Sequence, residues 1–262
     1  MSSKNKIPLY GFNNLTKSLS FSLYRVHYLH TKQTTDNSEH SATLNRQCQE
    51  HYHSYINQAY SSEQLELLLT KICHAIGGNV LNIASQDYTP QGASVTLMIS
   101  EEAKPESLVA HIDKSHLCIH TYPEEAPQQA IAIFRADIEL STCGVISPLE
   151  VLDYVIDTFS ADVIDIDYRI RGMTRDQQGN KHFSDHNINQ ISEHLSSNTH
   201  QTYQIKDSVM ATHNLFHCKL VRQSIDLQHH LFNTNVDQIS LKTKRQITNQ
   251  LRTELNELFT GK

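Results

Sequence analysis

Hydrophobic and polar residues alternate along several short segments of the chain, as they do in half-buried β-strands. The clearest case lies within residues 18–28, where Leu19, Phe21 and Leu23 share one face. Further strand candidates cover residues 80–84, 94–100, 117–122, 131–140 and 162–171. Most of these segments follow one another closely, which is typical of strands joined by short connections in an antiparallel sheet.

Other segments repeat their apolar residues every three or four positions, which indicates amphipathic helices. Residues 61–64 resemble a capping box for a helix that continues to Ile76, and Gly77 follows as a helix-ending residue. Further helices are expected at residues 44–59, from Pro148 onward, and at 240–259. The pattern therefore predicts an α+β fold, a two-layer α/β sandwich in which helices cover one face of an antiparallel β-sheet.

Composition excludes several classes of protein. The 262 residues contain 22 Lys and Arg against 28 Asp and Glu, and a net charge of −6 argues against a nucleic-acid partner. No apolar run is long enough to cross a bilayer, and the first residues lack the apolar core of a secretory signal, so we expect no membrane partner. Five Cys without paired spacing suit free thiols in a reducing cytoplasm. No repeat or Pro- and Gly-rich linker divides the chain, so residues 1–262 are expected to form a single domain.

The 17 histidines raise the question of a metal centre. They are scattered along the chain, and the closest pairs are His51 with His53 and His229 with His230. Neither pair has a third ligand at a spacing typical of zinc sites. The spacing favours solvated surface histidines over a histidine-built zinc site, and the metal content stays unknown at this point.

Two segments concentrate acid, base and nucleophilic side chains. Asp113-Lys-Ser-His-Leu-Cys-Ile-His-Thr-Tyr-Pro-Glu124 places Ser115 at the start of a strand and His120 further along it. Asp137-Ile-Glu-Leu-Ser-Thr-Cys-Gly144 places Cys143 at the end of the next strand. On spacing alone, a half-buried sheet with a core thiol and an edge histidine explains both segments. The common signatures of nucleotide-binding, zinc-protease and nucleophile-elbow enzymes do not occur.

Together these motifs resemble the S-adenosylmethionine decarboxylase proenzymes, which are pyruvoyl-dependent enzymes of spermidine biosynthesis. Lys-Ser-His-x-x-x-His-Thr-Tyr-Pro-Glu with a downstream Ser-Thr-Cys-Gly is similar to that family. Further matches lie in Gly11-Phe-Asn-Asn-Leu-Thr-Lys-Ser18, Gln86-Asp-Tyr-Thr-Pro-Gln-Gly-Ala-Ser94 and Phe134-Arg-Ala-Asp137. The resemblance runs from about residue 8 to the C-terminal helix, and it is to the long bacterial branch.

The resemblance implies a cytoplasmic lyase that is made as a zymogen and cuts itself between Lys114 and Ser115. Ser115 would become the pyruvoyl group that forms a Schiff base with the substrate, S-adenosylmethionine, and draws electrons as CO2 leaves. His120 would accept a proton during processing, and Cys143 would donate one during decarboxylation. Two alternatives stay open: the same fold decarboxylating arginine or ornithine, and a non-catalytic paralogue.

Three further residues match family positions on shorter stretches of sequence. Ser94 matches a serine that assists processing, although the two serines lie closer together in compact relatives. Glu124 matches an acid that contacts the ribose or the cation of the substrate, and a surface carboxylate is the alternative. Tyr88 matches an aromatic residue that lines the substrate site, and core packing is the alternative. The cut would give a β chain, residues 1–114, and an α chain, residues 115–262.

The resemblance also implies a homo-oligomer with active sites at a dimer interface, and Mg²⁺ as an activator, for which no Asp or Glu cluster stands out. A strand rises about 3.3 Å per residue, so His120 should lie roughly 16 Å from Ser115 in the same chain. Cys143 can lie close to Ser115, because it is at the end of the next strand, which can run back beside the start of the strand that contains Ser115. His120 would reach Ser115 only through a sharp break in the strand or from the partner chain across a two-fold axis.

Overall fold

The computed structural model describes residues 13–29, 39–100, 115–124, 130–143 and 146–262, without the side chains of residues 39–45. Lys114, on one side of the expected cut, and Gly11 and Phe12 of the first family motif lie outside the described residues.

The strands and helices follow in one order along the chain. The strands are β1 (Thr16–Leu29), β2 (Asn79–Asp87), β3 (Ala93–Ser100), β4 (His116–Pro123), β5 (Ile131–Cys143), β6 (Val163–Arg171), β7 (Thr174–Arg175), β8 (Lys181–His182), β9 (Tyr203–Met210), β10 (Leu215–Arg222) and β11 (Leu231–Phe232). The helices are α1 (Glu39–Ala59), α2 (Ser62–Ala75), α3 (Leu152–Phe159), α4 (Ser197–Thr202), α5 (Leu227–His230) and α6 (Leu241–Thr260). Short 3₁₀ turns cover Pro148–Val151, Ile191–His194, Ala211–His213 and Val236–Gln238.

One large sheet organises these elements. Its strands follow the order β2-β3-β4-β5-β1-β6-β10-β9, each antiparallel to its neighbour, and β11 adds to β1 in parallel. The strand β1 is the longest and lies between β5 and β6. The predicted antiparallel sheet is confirmed, and β9 with β10 extends it beyond the strands predicted from sequence.

Helices cover one face of this sheet, which holds the main core. Leu19, Phe21 and Leu23 of β1 point into it, as their alternation predicts, and pack in one cluster with apolar residues of α2 and α3. Ser61 caps α2 by accepting a hydrogen bond from the Gln64 amide at 3.3 Å, so the N-cap half of the predicted capping box is present. The predicted α+β class is confirmed, and α1, α2 and α3 all contribute to the core on this face.

The opposite face differs along its length. At one end α6 packs Ile247, Leu251 and Leu255 against Val26 and Val163, which forms a second, smaller core. Away from α6, polar side chains alternate with the core residues of β4, β5, β1 and β6. We call this surface the polar face; it comprises Ser18, Ser20, Ser22, His116, Cys118, His120, Asp137, Glu139, Ser141, Asp165, Asp167 and Arg169.

No helix among the described residues is both long enough and apolar enough to cross a membrane.

Candidate active site

Ser115 and Cys143 meet where β4 begins and β5 ends. The two strands are antiparallel neighbours, so the start of one lies beside the end of the other. The Ser115 Oγ and the Cys143 Sγ are 3.3 Å apart, and Ser115 is only 4% exposed. The Ser115 carbonyl accepts a hydrogen bond from the Ile99 amide at 3.3 Å, which ties this residue to β3. The expected return of Cys143 beside Ser115 is therefore present, and we call these two residues the Ser115 group.

His120 lies five residues further along β4. The pairing of β4 with β5 runs without interruption from His116 to Pro123, so no bulge shortens the path. At about 3.3 Å per residue, His120 lies roughly 16 Å from Ser115. A sharp break in the strand was the expected way for His120 to reach the Ser115 of its own chain, and residues 116–123 contain no such break.

Ser94 and Tyr88 lie beside His120 instead. Ser94 pairs with His120 across β3 and β4, which places both side chains on the polar face. The Tyr88 hydroxyl and the Ser94 Oγ are 2.7 Å apart. Tyr88 is 41% exposed, which excludes the core-packing alternative for this ring. We call Tyr88, Ser94 and His120 the His120 group.

Glu124 follows the end of β4 and is half-buried. Its Oε2 accepts a hydrogen bond from the Ile133 amide at 3.0 Å, and its own amide donates to the Ile133 carbonyl at 3.0 Å. The carboxylate thus continues the pairing of β4 with β5 by one residue. Glu124 has a structural role that its sequence match did not indicate.

A groove of about 380 Å³ runs over the polar face beside the Ser115 group. Two of the residues that line this groove are next to the Ser115 group in sequence: His116 follows Ser115, and Ser141 lies two residues before Cys143. The rest of the lining consists of Ser18, Leu19, Ser20, Glu139, Leu140, Asp167, Arg169, Arg171 and Leu215. The mixed charges of this groove, with two carboxylates and two guanidinium groups, lie on the same face as His120.

The pair His229 and His230 does acquire a third polar neighbour in the fold. Potential ligand atoms of Asp162, His229 and His230 lie within 4.8 Å of one another. Asp162 belongs to the β6 side of the sheet, so sequence spacing could not reveal it.

This cluster is already a charge network, in which the His230 Nε2 is the only buried side-chain atom that lacks a hydrogen-bond partner among the described residues. Asp162 accepts hydrogen bonds from the Val26 amide at 2.8 Å, the Arg222 Nε at 3.2 Å and the His229 Nε2 at 3.2 Å. Burial alone would raise the pKa of Asp162, but the His229 hydrogen bond and the nearby His230 hold that pKa below its usual value. A metal ion would have to compete with the Arg222 guanidinium, which favours a structural network over a metal centre at these residues.

The remaining cysteines have the properties of structural thiols. All five cysteines are free. Burial raises the pKa of Cys73 to about 11, and burial likewise raises the pKa of Cys48, Cys118 and Cys218. A raised pKa leaves little thiolate at neutral pH, so these four side chains are poor nucleophiles.

Comparisons with known proteins identify the family. The family model described as S-adenosylmethionine decarboxylase matches residues 48–172. Curated relatives named S-adenosylmethionine decarboxylase proenzyme include one from Pectobacterium atrosepticum, 44% identical over 98% of both chains, and one from Pseudomonas syringae pv. tomato, 44% identical over 99% of this chain and 98% of the relative. A crystal structure of the adenosylmethionine decarboxylase from Aquifex aeolicus covers 61% of this chain and 91% of its own, at 15% identity and a TM-score of 0.36. The sequence relatives alone decide the assignment: this chain belongs to the S-adenosylmethionine decarboxylase family.

Proposed function

We propose that this chain is an S-adenosylmethionine decarboxylase that is made as a proenzyme. The identity of about 44% over nearly the full length to proenzymes of that name carries this proposal. Loss of CO2 from S-adenosylmethionine gives the aminopropyl donor for spermidine. Ser115, His120 and Cys143 are all present, which argues against a non-catalytic paralogue.

Self-processing begins at Ser115. Its Oγ attacks the Lys114 carbonyl carbon, and the peptide bond becomes an ester between that carbonyl and the Ser115 oxygen. Loss of the Ser115 α-proton to a base then expels the ester as the Lys114 carboxylate and leaves a dehydroalanine. Hydrolysis of that residue releases ammonia and leaves a pyruvoyl group. The products are a β chain, residues 1–114, and an α chain, residues 115–262, of one domain.

His120 is the base for the α-proton, and Cys143 is the acid for decarboxylation. A pyruvoyl carbonyl carbon joined to the amino nitrogen of the substrate would supply a sink for the electron pair that remains when CO2 leaves. Cys143 returns a proton to the substrate carbon after CO2 has left, and its position 3.3 Å from the Ser115 Oγ supports that role. Ser94 and Tyr88 assist His120 and line the substrate site, and Glu124 holds the adjoining strand end in place.

Each active site draws on two subunits. His120 and Ser115 lie roughly 16 Å apart along one strand, too far for direct proton transfer within a chain. A two-fold axis that stacks two polar faces would bring the His120 group of one subunit to the Ser115 group of the other. We therefore propose a homo-oligomer of αβ units whose sites lie at the interface between polar faces.

The proposal includes a cytoplasmic location, which five free thiols support. It does not extend to a magnesium site. Mg²⁺ prefers oxygen ligands, and the only potential metal cluster among the described residues contains two imidazoles and lies against Arg222. The donor set does not fit, and no step is assigned to Mg²⁺.

Intact mass tests cleavage and the pyruvoyl group together. We expect fragments of 114 and 148 residues from the 262-residue chain, and a larger fragment that resists Edman sequencing because its first residue has no amine. The Ser115→Ala chain should remain whole. A single uncut species from active, wild-type protein would contradict the proposal. Decarboxylation assays with S-adenosylmethionine, arginine and ornithine then decide between the substrate alternatives.

Complementation tests the shared site. Ser115→Ala and His120→Ala chains, co-expressed with different affinity tags, form a mixed dimer that has one site with both residues intact. Cleavage of the His120→Ala chain in tag-selected mixed dimers, at a level that neither variant reaches alone, is the expected result. Uncut mixed dimers would mean that His120 serves its own chain.

A further inference from the structure

A carboxylate lies directly across the sheet from His120. The pairing of β4 with β5 sets His120 opposite Asp137, and the pairing of β3 with β4 sets Ser94 opposite His120 on the other side. The three side chains form one transverse row on the polar face. Directly opposed residues of antiparallel strands have Cβ atoms about 4.5–5.5 Å apart, within reach of an imidazole and a carboxylate.

The two oxygens of Asp137 differ in their surroundings. Its Oδ2 lies 3.2 Å from the Arg135 Nη2. Its Oδ1 is buried and has no hydrogen-bond partner among the described residues. A buried carboxylate oxygen without a donor is costly, so a nearby N–H or O–H should pair with it. Ser22 on β1 and His120 on β4 are the opposed residues on either side.

Arg135 restricts how Asp137 can move. The Arg135 guanidinium lies over the Tyr122 ring, 4.3 Å from its centroid. Tyr122 is two residues beyond His120 on the same strand, and Arg135 is opposite it. The stack with Tyr122 and the ion pair with Arg135 hold the Asp137 carboxylate so that its Oδ1 can accept a hydrogen bond from a side chain of β4 or β1.

His120 needs such a partner to act as a base. An imidazole in solution exchanges freely between its two neutral tautomers, and only the nitrogen without a proton can accept one. A carboxylate that accepts the N–H of one ring nitrogen fixes the tautomer, orients the ring and stabilises the imidazolium that forms. The two side chains are not hydrogen-bonded in this structure, so His120 must rotate to make the contact.

We propose that Asp137 is a positioning residue that orients His120 for removal of the Ser115 α-proton. Its Oδ1 accepts one imidazole N–H, and the other ring nitrogen then points away from the sheet, toward the subunit that stacks on it. The inference rests on the proposed role of His120 as the base. Ser94 also faces His120 directly, with the Tyr88 hydroxyl 2.7 Å from its Oγ. Arg135 and Glu139 lie diagonally on β5, Thr96 lies diagonally on β3, and Cys118 and Tyr122 lie along β4.

The decisive variant is Asp137→Asn, which keeps the shape of the side chain and removes its charge. We expect cleavage of the newly made chain to slow by about 10- to 100-fold, because a well-placed general base contributes about 10²–10⁴. The side chain of the Asp137→Asn variant would offer the imidazolium no negative charge, so the midpoint of the pH–rate profile for cleavage should move to lower pH. Asp137→Glu, which restores the charge, should recover part of the rate and the original midpoint. Cleavage is followed by mass spectrometry during cell-free synthesis at several pH values.

Asp165→Asn is the matched comparison. Asp165 lies in the same transverse row, and its buried Oδ1, which accepts no hydrogen bond, lies 3.1 Å from the Lys219 Nζ; β5 and β1 separate it from His120. The midpoint of the pH–rate profile for cleavage of the Asp165→Asn chain should stay at the wild-type value. A purely structural role for Asp137 predicts instead slower cleavage with an unchanged midpoint.

Two outcomes overturn the inference. One is wild-type cleavage by Asp137→Asn, and the other is slow cleavage with an unshifted midpoint that Asp137→Glu does not improve. The His120→Ala chain separates this failure from failure of the proposed function. If it stalls as a hydroxylamine-sensitive ester while Asp137→Asn cleaves normally, only the inference about Asp137 is wrong. If it cleaves normally, the role of His120 itself is wrong.

Discussion

A buried ion pair between Lys17 and Asp185 should be one of the most sensitive points of this fold. The Lys17 Nζ and the Asp185 Oδ2 are 2.8 Å apart, and the two side chains are 0% and 2% exposed. His186 donates a second hydrogen bond to Asp185 at 2.7 Å through its Nδ1. Lys17 pairs with Thr142 in the sheet, one residue before Cys143, so the ion pair lies close to the Ser115 group.

Asp185→Asn removes the charge and leaves a buried ammonium beside an amide. Breaking a buried pair by removing one partner costs about 3–5 kcal/mol, a large share of the roughly 5–15 kcal/mol that stabilises a typical domain. Lys17→Met should cost less, because the Asp185 carboxylate keeps its hydrogen bond from His186. The double variant should be less destabilised than the sum of the two single variants, by about 0.5–3 kcal/mol.

Urea unfolding at pH 7 and at one fixed protein concentration measures these differences, in a Ser115→Ala background that keeps the chain whole. Glu50→Gln is the matched control, because Glu50 pairs with Arg46 at 3.2 Å with the two side chains 63% and 82% exposed. Exposed pairs contribute about 0–1 kcal/mol. If Asp185→Asn costs no more than Glu50→Gln, the burial argument is wrong.

The same pair predicts how stability depends on acid. Burial alone would raise the pKa of Asp185, but the His186 hydrogen bond and the Lys17 charge lower it from 3.8 to about 2. Because the pKa of Asp185 is lower in the folded than in the unfolded chain, its ionised form stabilises the fold. This stabilisation is complete above the pKa of the unfolded chain and is lost as the pH falls from about 4 toward 2. The contribution is about 2 kcal/mol, at 1.36 kcal/mol per pKa unit. Asp185→Asn should therefore flatten the stability curve between pH 4 and pH 2, which urea midpoints across that range will measure.

Three further changes test the site and the core. Cys143→Ala should still permit at least partial cleavage but suppress decarboxylation per processed site, and full turnover by the processed fraction, measured as released CO2, would exclude Cys143 as the proton donor. His120→Ala should stop processing at the ester, so hydroxylamine should cut it before Ser115, and a chain that hydroxylamine leaves intact would contradict this. Leu69→Ala, at a fully buried position of α2, should cost about 2–5 kcal/mol in urea unfolding, and a loss below 1 kcal/mol would mean that α2 repacks.

The sequence predicted the parts of this molecule that depend on neighbouring residues. Alternation placed Leu19, Phe21 and Leu23 in the core, and the succession of two strands predicted that Cys143 would return to Ser115. The regular spacing of β4 also predicted that His120 would lie far from Ser115. Each of these inferences needs only the geometry of one strand or of one strand pair.

Contacts between distant parts of the chain could not be predicted in this way. Lys17 occupies a core position in the alternation of β1, which could have indicated a buried cation, but its partner Asp185 lies 168 residues further on. Asp162 and His229 are 67 residues apart and meet only because β6 and α5 converge beside β1. The structural role of Glu124 depends on a backbone amide, which no side-chain pattern reveals.

The position of β1 has a consequence for what self-cleavage can release. A cut after Lys114 would assign β1, β2 and β3 to one polypeptide and the remaining strands of the large sheet to the other. Strands of the two polypeptides would then alternate in the sheet, because β1 of the first polypeptide lies between β5 and β6 of the second. Neither product could leave without breaking the hydrogen bonds on both edges of β1 and those between β3 and β4, so the two halves are interlocked. The mature enzyme should consequently be made only by cutting a folded precursor, and mixing separately produced halves should not assemble it.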